Sequence, residues 1–475
     1  MAEDSFNGIV SSIRRSPSGT SIYTVISDAS YVLESNLALE LYDRVSVSAW
    51  TVGADGHIVA GSIMVDGKAD SSSYNGAIDF LIKKAGVGRQ SPFTSDSRFG
   101  RLITGVESAL HDCGISLLRH VLSGAPVVIR FHNDGDGATG AIALSRALAS
   151  VNERVFVGRR GFEWRMHRGI AYTADSFYED ASTFVQYESV EKPMVVILDF
   201  GTSDESEAAI GSSLGKHDLL WIDHHPVYGG FPRSLIGQYL NSWDYGGDSN
   251  DTAGMLASVF SEMLGAGDVS QLVEASLLSD RSDYADMANL EAVKISEILD
   301  FLTGSRRNAE RYGNPRQITP QYLESMISGE GSAELFDYIS SQITSSVRLG
   351  VGTARRYKGF RDTGIFVLDF SRIIAAGYET ILLGRYATRF QEGIEAEFGD
   401  NTVAVVHHRG IISIRCGKSA CGHIGLLNTI VRIRESFGPS VSGGGHNEAA
   451  SIRVDPESAD DVLVALLSEL GASVT

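Results

Sequence analysis

Three continuous apolar runs constrain this 475-residue chain more than any other feature: PVVIRF at 126–131, MVVILDF at 194–200 and LLWID at 219–223. They lack polar alternation, so both faces of each strand are buried, the pattern of a parallel sheet covered by helices. Helical stretches such as AIALSRALASV lie between such runs, and RVFVG at 154–158 reads as a further strand. Alternating strands and helices predict crossover units. Sites in such sheets form where loops leave the carboxyl ends of the strands.

Chemistry-bearing residues follow each run. PVVIRF leads into His132-Asn133-Asp134-Gly135-Asp136-Gly137, one imidazole and two carboxylates at alternate positions before a helix. An Asp near a helix start is also a common cap, and Gly-Asp a common turn, so this hexapeptide alone leaves ligand and cap both open. MVVILDF carries Asp199, with Gly201 just beyond. LLWID ends in Asp223-His224-His225-Pro226, and adjacent imidazoles at a strand tip read as metal ligands or phosphate contacts. A carboxylate behind a ligating ring typically orients it. The helical stretch VEASLLSDRSDYAD adds Asp280, with Asp283 as a near neighbour. An oxygen-rich set with a His minority suits manganese or magnesium better than structural zinc. Two divalent ions about 3.5–4 Å apart are a recurrent device for phosphate-ester hydrolysis. These residues therefore read as a two-metal phosphoesterase.

The flanking regions differ in character. Residues 7–67 form five short strand-like segments separated by turns such as Pro17-Ser18-Gly19 and Ala54-Asp55-Gly56. That spacing suits a small Greek-key barrel and resembles an OB-fold. Its aromatics Tyr23, Tyr31, Tyr42 and Trp50 could stack on bases or fill a core. The Ser-, Gly- and Asp-rich stretch at 69–96, around one short amphipathic run AIDFLIKKAG, reads as a linker. Polar helical patterns over 290–340 suggest a connector between lobes, and GIFVLDF through DVLVALLSEL alternates again as a second α/β domain. The expected organisation is thus α/β: a small barrel at 1–68, a linker at 69–96, a parallel-sheet domain at 97–300, a helical connector at 301–344 and a smaller α/β domain at 345–475.

Composition bounds the partners. The formal net charge is −19, which excludes broad coating of duplex nucleic acid through a basic surface. Lys supplies eight of the 40 basic residues and Arg, the forked donor suited to phosphate, the other 32. Residues 345–475 balance 14 basic against 14 acidic residues, and Arg348, Arg355, Arg356, Lys358 and Arg361 open that region. Three cysteines, Cys113, Cys416 and Cys421, cannot build a disulfide framework. No apolar run approaches the roughly 20 residues of a membrane span, and the start MAEDSFNG is unlike a signal peptide, so a cytoplasmic, soluble protein is expected.

His132-x-Asp134-x-Asp136-Gly137, Asp199, Asp223-His224-His225 and Asp280 resemble the four motifs of the DHH phosphoesterase superfamily. Gly443-Gly444-Gly445-His446-x-x-Ala449-Ala450 resembles the glycine-rich signature of its associated C-terminal domain. The resemblance covers residues 97–475 and implies two manganese ions, with magnesium as the alternative. It assigns His132, Asp134 and Asp199 to one ion and Asp136, Asp199, His224 and Asp280 to the other. Asp199 would bridge, Asp223 would orient its neighbour, and His225 would contact the scissile phosphate. Ser279 stands where archaeal relatives usually place Gly, which leaves Asp283 as the alternative to Asp280. Arg415 and the glycines with His446 would contact substrate phosphates. GGGH reads physically as a flexible loop or as a glycine turn before the SIRV strand. His407, His408 and His423 have no assigned role.

Within this superfamily the chain is most similar to archaeal RecJ-like exonucleases, by its short first motif and its lack of the long bacterial C-terminal extension. The resemblance implies hydrolysis of single-stranded DNA, or RNA, with 5′→3′ polarity and release of mononucleotides in repair or replication, the strand being clamped between two lobes. Alternatives are an oligoribonuclease or cyclic-dinucleotide phosphodiesterase, and a RecJ-related replisome scaffold without catalysis. A replisome partner of the GINS type is also implied.

Overall fold

The computed structural model describes residues 5–15, 20–227, 230–304, 306–311, 317–378, 382–445, 448–471 and 473–474. The chain forms two compact units, Met1–Leu299 with Pro315–Ser328, and Asp300–Asn314 with Gly329–Thr475. In the first, β1 (Ser5–Arg15), β2 (Ser21–Ile26), β3 (Ser30–Ser35), β4 (Asp43–Val52) and β5 (Ile58–Lys68) precede α1 (Ser71–Ala85) and α2 (Gly100–Ser123). Then come β6 (Val127–His132), α3 (Gly135–Val155), β7 (Phe156–Val157), β8 (Glu163–His167), α4 (Ala174–Phe184), β9 (Tyr187–Ser189) and β10 (Met194–Leu198). After these follow α5 (Glu207–Ser213), β11 (Asp218–Asp223), β12 (Gln238–Asn241), α6 (Ala253–Met263) and α7 (Ser270–Ser279).

The first five strands close a barrel in the order β1-β2-β3-β5-β4, antiparallel throughout except where β3 meets β5. This is the OB-like barrel expected from the turn spacing. Val10, Ile13, Tyr23, Val25, Leu33, Val45, Val47 and Ile58 fill it. Its aromatics serve packing: Tyr23 is buried, Tyr31 stacks on Phe6 with Trp50 edge-on to both, and Tyr42 lies edge-on to Tyr74 of α1.

Two readings of the sequence need correction. Much of the stretch expected as a linker is the helix α1. Asp70 caps it, accepting the Ser73 N–H at 2.7 Å, and Tyr74, Ile78, Leu81 and Ala85 form a buried stripe at helical spacing. RVFVG does not join the central sheet. Its first two residues end α3, and Phe156-Val157 forms β7, which pairs with barrel strand β3. The place in the sheet belongs to β8, whose sequence EWRMH lacks an apolar run; Trp164 and His167 are its buried residues.

Among the described residues the central sheet has the order β12-β11-β10-β6-β8, with every neighbouring pair parallel. All five carboxyl ends therefore lie at one edge, and His132, Asp199 and Asp223 stand at three adjacent tips. Val128, Val195, Ile197 and Trp221 pack beneath them.

The helices α8 (Leu290–Gly304), α9 (Arg306–Arg311), α10 (Pro320–Ser328) and α11 (Ser332–Thr353) follow. In the first unit, α10 packs on α3, where the Gln321 amide donates to Ser145 Oγ at 2.7 Å. The second unit contains β13 (Arg355–Lys358), β14 (Gly364–Asp369), α12 (Ser371–Ala375), α13 (Leu383–Phe398), β15 (Thr402–His408) and β16 (Ile411–Cys416). It continues with α14 (Lys418–Cys421), α15 (Leu426–Phe437), β17 (Val441–Gly445), β18 (Ala449–Val454), α16 (Ala459–Glu469) and β19 (Ser473–Val474). Its sheet, β17-β18-β16-β15-β14-β13-β19, is antiparallel apart from β14 with β15. Among the described residues no helix is long and apolar enough to cross a membrane.

Candidate metal centre

The first strand tip turns directly into a helix. Asp134 is the N-cap of α3 and accepts the Gly137 N–H at 3.0 Å through one carboxylate oxygen, while the other lies 2.9 Å from His132 Nδ1. Cap and donor are therefore the same residue, and the two readings of the hexapeptide do not compete. Gly137 makes this turn feasible: a Cβ there would stand 2.7 Å from both the backbone N and O of His132.

Asp136, in the first turn of α3, is fully buried. Its oxygens accept the N–H groups of Ala253 and Gly254 at 3.0 and 2.9 Å and the hydroxyl of Ser276. The carboxylate of Asp136, itself in the first turn of α3, thus takes up the first two N–H groups of α6, which no carbonyl within that helix can reach and which favour negative charge. A side chain on Gly254 would collide with the Asp136 carbonyl, so α6 can approach this closely only with glycine there.

The next two tips use strain and hydrogen bonds. Asp199 sits immediately after β10 in the left-handed region, φ 66°, a conformation that costs a non-glycine residue roughly 1 kcal/mol or more. It is buried, yet neither carboxylate oxygen has a hydrogen-bond partner among the described residues. After β11, one oxygen of Asp223 accepts the N–H groups of His224 and His225 and the Nδ1–H of His225, at 2.8, 3.1 and 2.7 Å. The ring that Asp223 orients is thus that of His225. The His224 ring is set by Asp251, whose backbone carbonyl lies 2.7 Å from Nδ1. A carbonyl can only accept, so Nδ1 carries a proton and Nε2 is the nitrogen whose lone pair faces the cluster when the ring is neutral. That Nε2 is buried without a hydrogen-bond partner among the described residues.

Among the described residues, donor atoms within 4.8 Å of one another fall here into His132 with Asp134 and Asp199, Asp136 with His224 and Asp280, and an overlapping set of Asp199, Asp223, His224 and His225; the first two match the expected ligand sets. Asp199 faces both: Oδ2 is 3.6 Å from His132 Nδ1 and Oδ1 is 3.5 Å from His224 Nε2. His224 Nε2 also lies 3.1 Å from Asp280 and 3.9 Å from Asp136. Asp283 is exposed, with its N–H on the Asn250 side chain at 2.9 Å, so the structure gathers Asp280 and leaves Asp283 aside.

The electrostatics express a shortage of positive charge. Burial, then the charges of Asp199 and Asp280, push the Asp136 carboxyl well above its ordinary range; burial and Asp134 raise Asp199. Burial would pull His132 and His224 down, but neighbouring carboxylates outweigh it and hold both well above the ordinary imidazole range. Protons on the imidazoles and carboxyls relieve this crowding, and divalent cations would displace them. Orphaned buried oxygens, a lone pair fixed by the far ring nitrogen, and hard oxygen donors all fit such cations.

The second unit holds the remaining expected residues. Arg415 lies on β16, and its guanidinium donates to Thr388 Oγ1, Ile414 O and Gly384 O at 2.9, 2.9 and 3.0 Å, which ties it to α13. Gly443, Gly444 and Gly445 are strand rather than loop: they end β17, opposite Ile452, Ser451 and Ala450 of β18. His446 lies outside the described residues. In the basic cluster, Arg356 sits over Phe366 and Phe398, and Lys358 pairs with Asp362 at 2.6 Å. His423 bonds Thr363 Oγ1 at 2.8 Å.

Residues unseen in the sequence reading include Asp251, Ser276, Asn241 and the N–H groups at the start of α6. Asp251-Thr252 before AGMLASVF is a cap signal that would have located the start of α6, since Thr252 accepts the Met255 N–H.

No family model matches the chain. An uncharacterized protein of Methanocaldococcus jannaschii is 28% identical over 236 residues, 45% of this chain, and the chain spans only 29% of that relative. Among solved structures, the DHH domain of a protein described as a member of a family of ribosomal proteins superposes with a TM-score of 0.67 at 18% identity, over 84% of this chain and 98% of that one. RecJ from Thermus thermophilus, in complex with Mn2+, gives 0.50 at 14%, over 76% of this chain and 54% of RecJ. The chain has the fold of DHH-domain proteins, RecJ among them.

Proposed function

We propose that the chain is a metal-dependent phosphodiesterase acting as a single-strand exonuclease on DNA or RNA. The observation that carries this reading is Asp199: a buried, strained carboxylate with two unbonded oxygens, one toward each donor set. His132, Asp134 and Asp199 would hold one cation, and Asp136, Asp199, His224 and Asp280 would hold the other. Manganese or magnesium, when bound, supplies charge that polarises the phosphodiester and lowers the pKa of the attacking water.

The chain's own groups do the positioning. Asp251 fixes the His224 ring, and the amino end of α6 with the Ser276 hydroxyl holds Asp136. Asp223 clamps Nδ1 of His225, leaving Nε2 of that half-exposed ring to donate to the scissile phosphate. Burial lowers the His225 pKa, but Asp223 outweighs it and the value is raised, which suits a protonated donor to developing negative charge. Arg415 and the glycine strand of β17, in the second unit, are the proposed contacts to substrate phosphates, and Asp199 and Asp223 act with His225 at the reacting centre. The OB-like barrel and the likeness to a Mn2+-bound RecJ fold support a polynucleotide over a pyrophosphate.

A length series of 5′- and 3′-labelled DNA and RNA strands with manganese tests this. Stepwise mononucleotide release from strands of ten or more nucleotides is expected, from the 5′ end. Activity confined to two to five nucleotides, or to cyclic dinucleotides, would replace the exonuclease with a short-substrate hydrolase.

A further inference from the structure

Trp243 stands apart from the other tryptophans. Trp221 and Trp164 are buried at 0% and 5% exposure and Trp50 packs edge-on in the barrel, whereas Trp243 is 42% exposed. It lies just past the tip of β12, at the same sheet edge as the donor residues. Its indole Nε1–H donates to the backbone carbonyl of His224 at 2.8 Å, and its own N–H donates to Asn241 Oδ1 at 3.1 Å. The fully buried Asn241 in turn donates to the His225 carbonyl at 2.9 Å. The ring is therefore fixed relative to the two histidines, yet no described ring or cation lies over its face.

We propose that Trp243 is a stacking platform for a nucleobase next to the scissile phosphate, a role that rests on the nuclease reading and adds recognition of the base to it. An indole tied by its edge keeps a face open at little conformational cost, and aromatic stacking accepts any base. The site would then prefer substrates that carry a base beside the reacting bond while remaining indifferent to its identity.

The test compares binding of dye-labelled single strands, base-bearing or abasic at the two nucleotides flanking the terminal bond, by anisotropy with Ca2+ in place of manganese. Wild type should bind the base-bearing strand about tenfold tighter. Trp243→Ala should lose that preference. Trp243→Phe, which keeps a ring but lacks the N–H to His224, should retain most of it. A preference that survives in Trp243→Ala, a wild type without preference, or a Phe variant as impaired as the Ala variant would overturn the proposal; the last would leave Trp243 an anchor for the histidine loop. Because binding is read without turnover, strands that bind with base preference but are never cleaved under manganese would count against the nuclease reading and not against stacking.

Discussion

At Asp199 the backbone is strained and the carboxylate is buried without hydrogen bonds among the described residues, so the residue opposes folding at the position proposed to serve a cation. Asp199→Gly should therefore raise the thermal midpoint of the metal-free protein by one to several degrees in calorimetry, because it relieves both costs. The same variant should lose more than about 100-fold in activity, since even groups behind a ligand contribute 10–100-fold. His217 offers a separate pH prediction. Both its ring nitrogens are buried without hydrogen bonds among the described residues, between Phe177 and Phe184, and burial pulls its pKa down to about 4. The unfolded chain takes the proton near pH 6.5 and the folded one does not, so this contribution is present above pH 6.5 and lost as pH falls toward 4. Denaturant titrations should show that loss, up to about 3 kcal/mol from this group, and His217→Phe should reduce it.

The elements show which parts of the site were legible in the sequence. Tips of β6, β10 and β11 could be read because an apolar run and its polar end are adjacent in the chain. The support could not: Asp136 is held by backbone N–H groups 117 and 118 residues away, and His224 by a carbonyl, and backbone groups have no sequence signature. β8 was hidden because a short edge strand needs no continuous apolar run, and α1 because its cap Asp70 and first-turn serines Ser71, Ser72 and Ser73 look like a linker. Close approach between elements predicts specific failures. Gly137→Ala places a methyl against the His132 backbone, which cannot yield as a side chain tip would; a cost of about 1–3 kcal/mol and weakened manganese binding should appear in melting and calorimetric titration.

For the whole molecule, the barrel is part of the first unit rather than an appended module. β7 and β9 pair with β3 and β1, and Ser30 Oγ donates to the Leu122 carbonyl at 2.8 Å. Deleting residues 1–68 should therefore lower the melting temperature of what remains and expose unpaired strand edges, read as aggregation in light scattering. The net charge of −19 also looks different once located, because a concentrated share of it converges on the two donor sets. Manganese at 100 times its Kd should stabilise the fold by about 2.7 kcal/mol, and Asp199→Asn should abolish most of that. The most direct measurement is digestion of end-labelled single-stranded DNA and RNA by wild type and Asp199→Asn, with manganese and with chelator. The account predicts cleavage by wild type with manganese alone and none by the variant. Intact strands in every lane, or equal cleavage by both proteins, would contradict it.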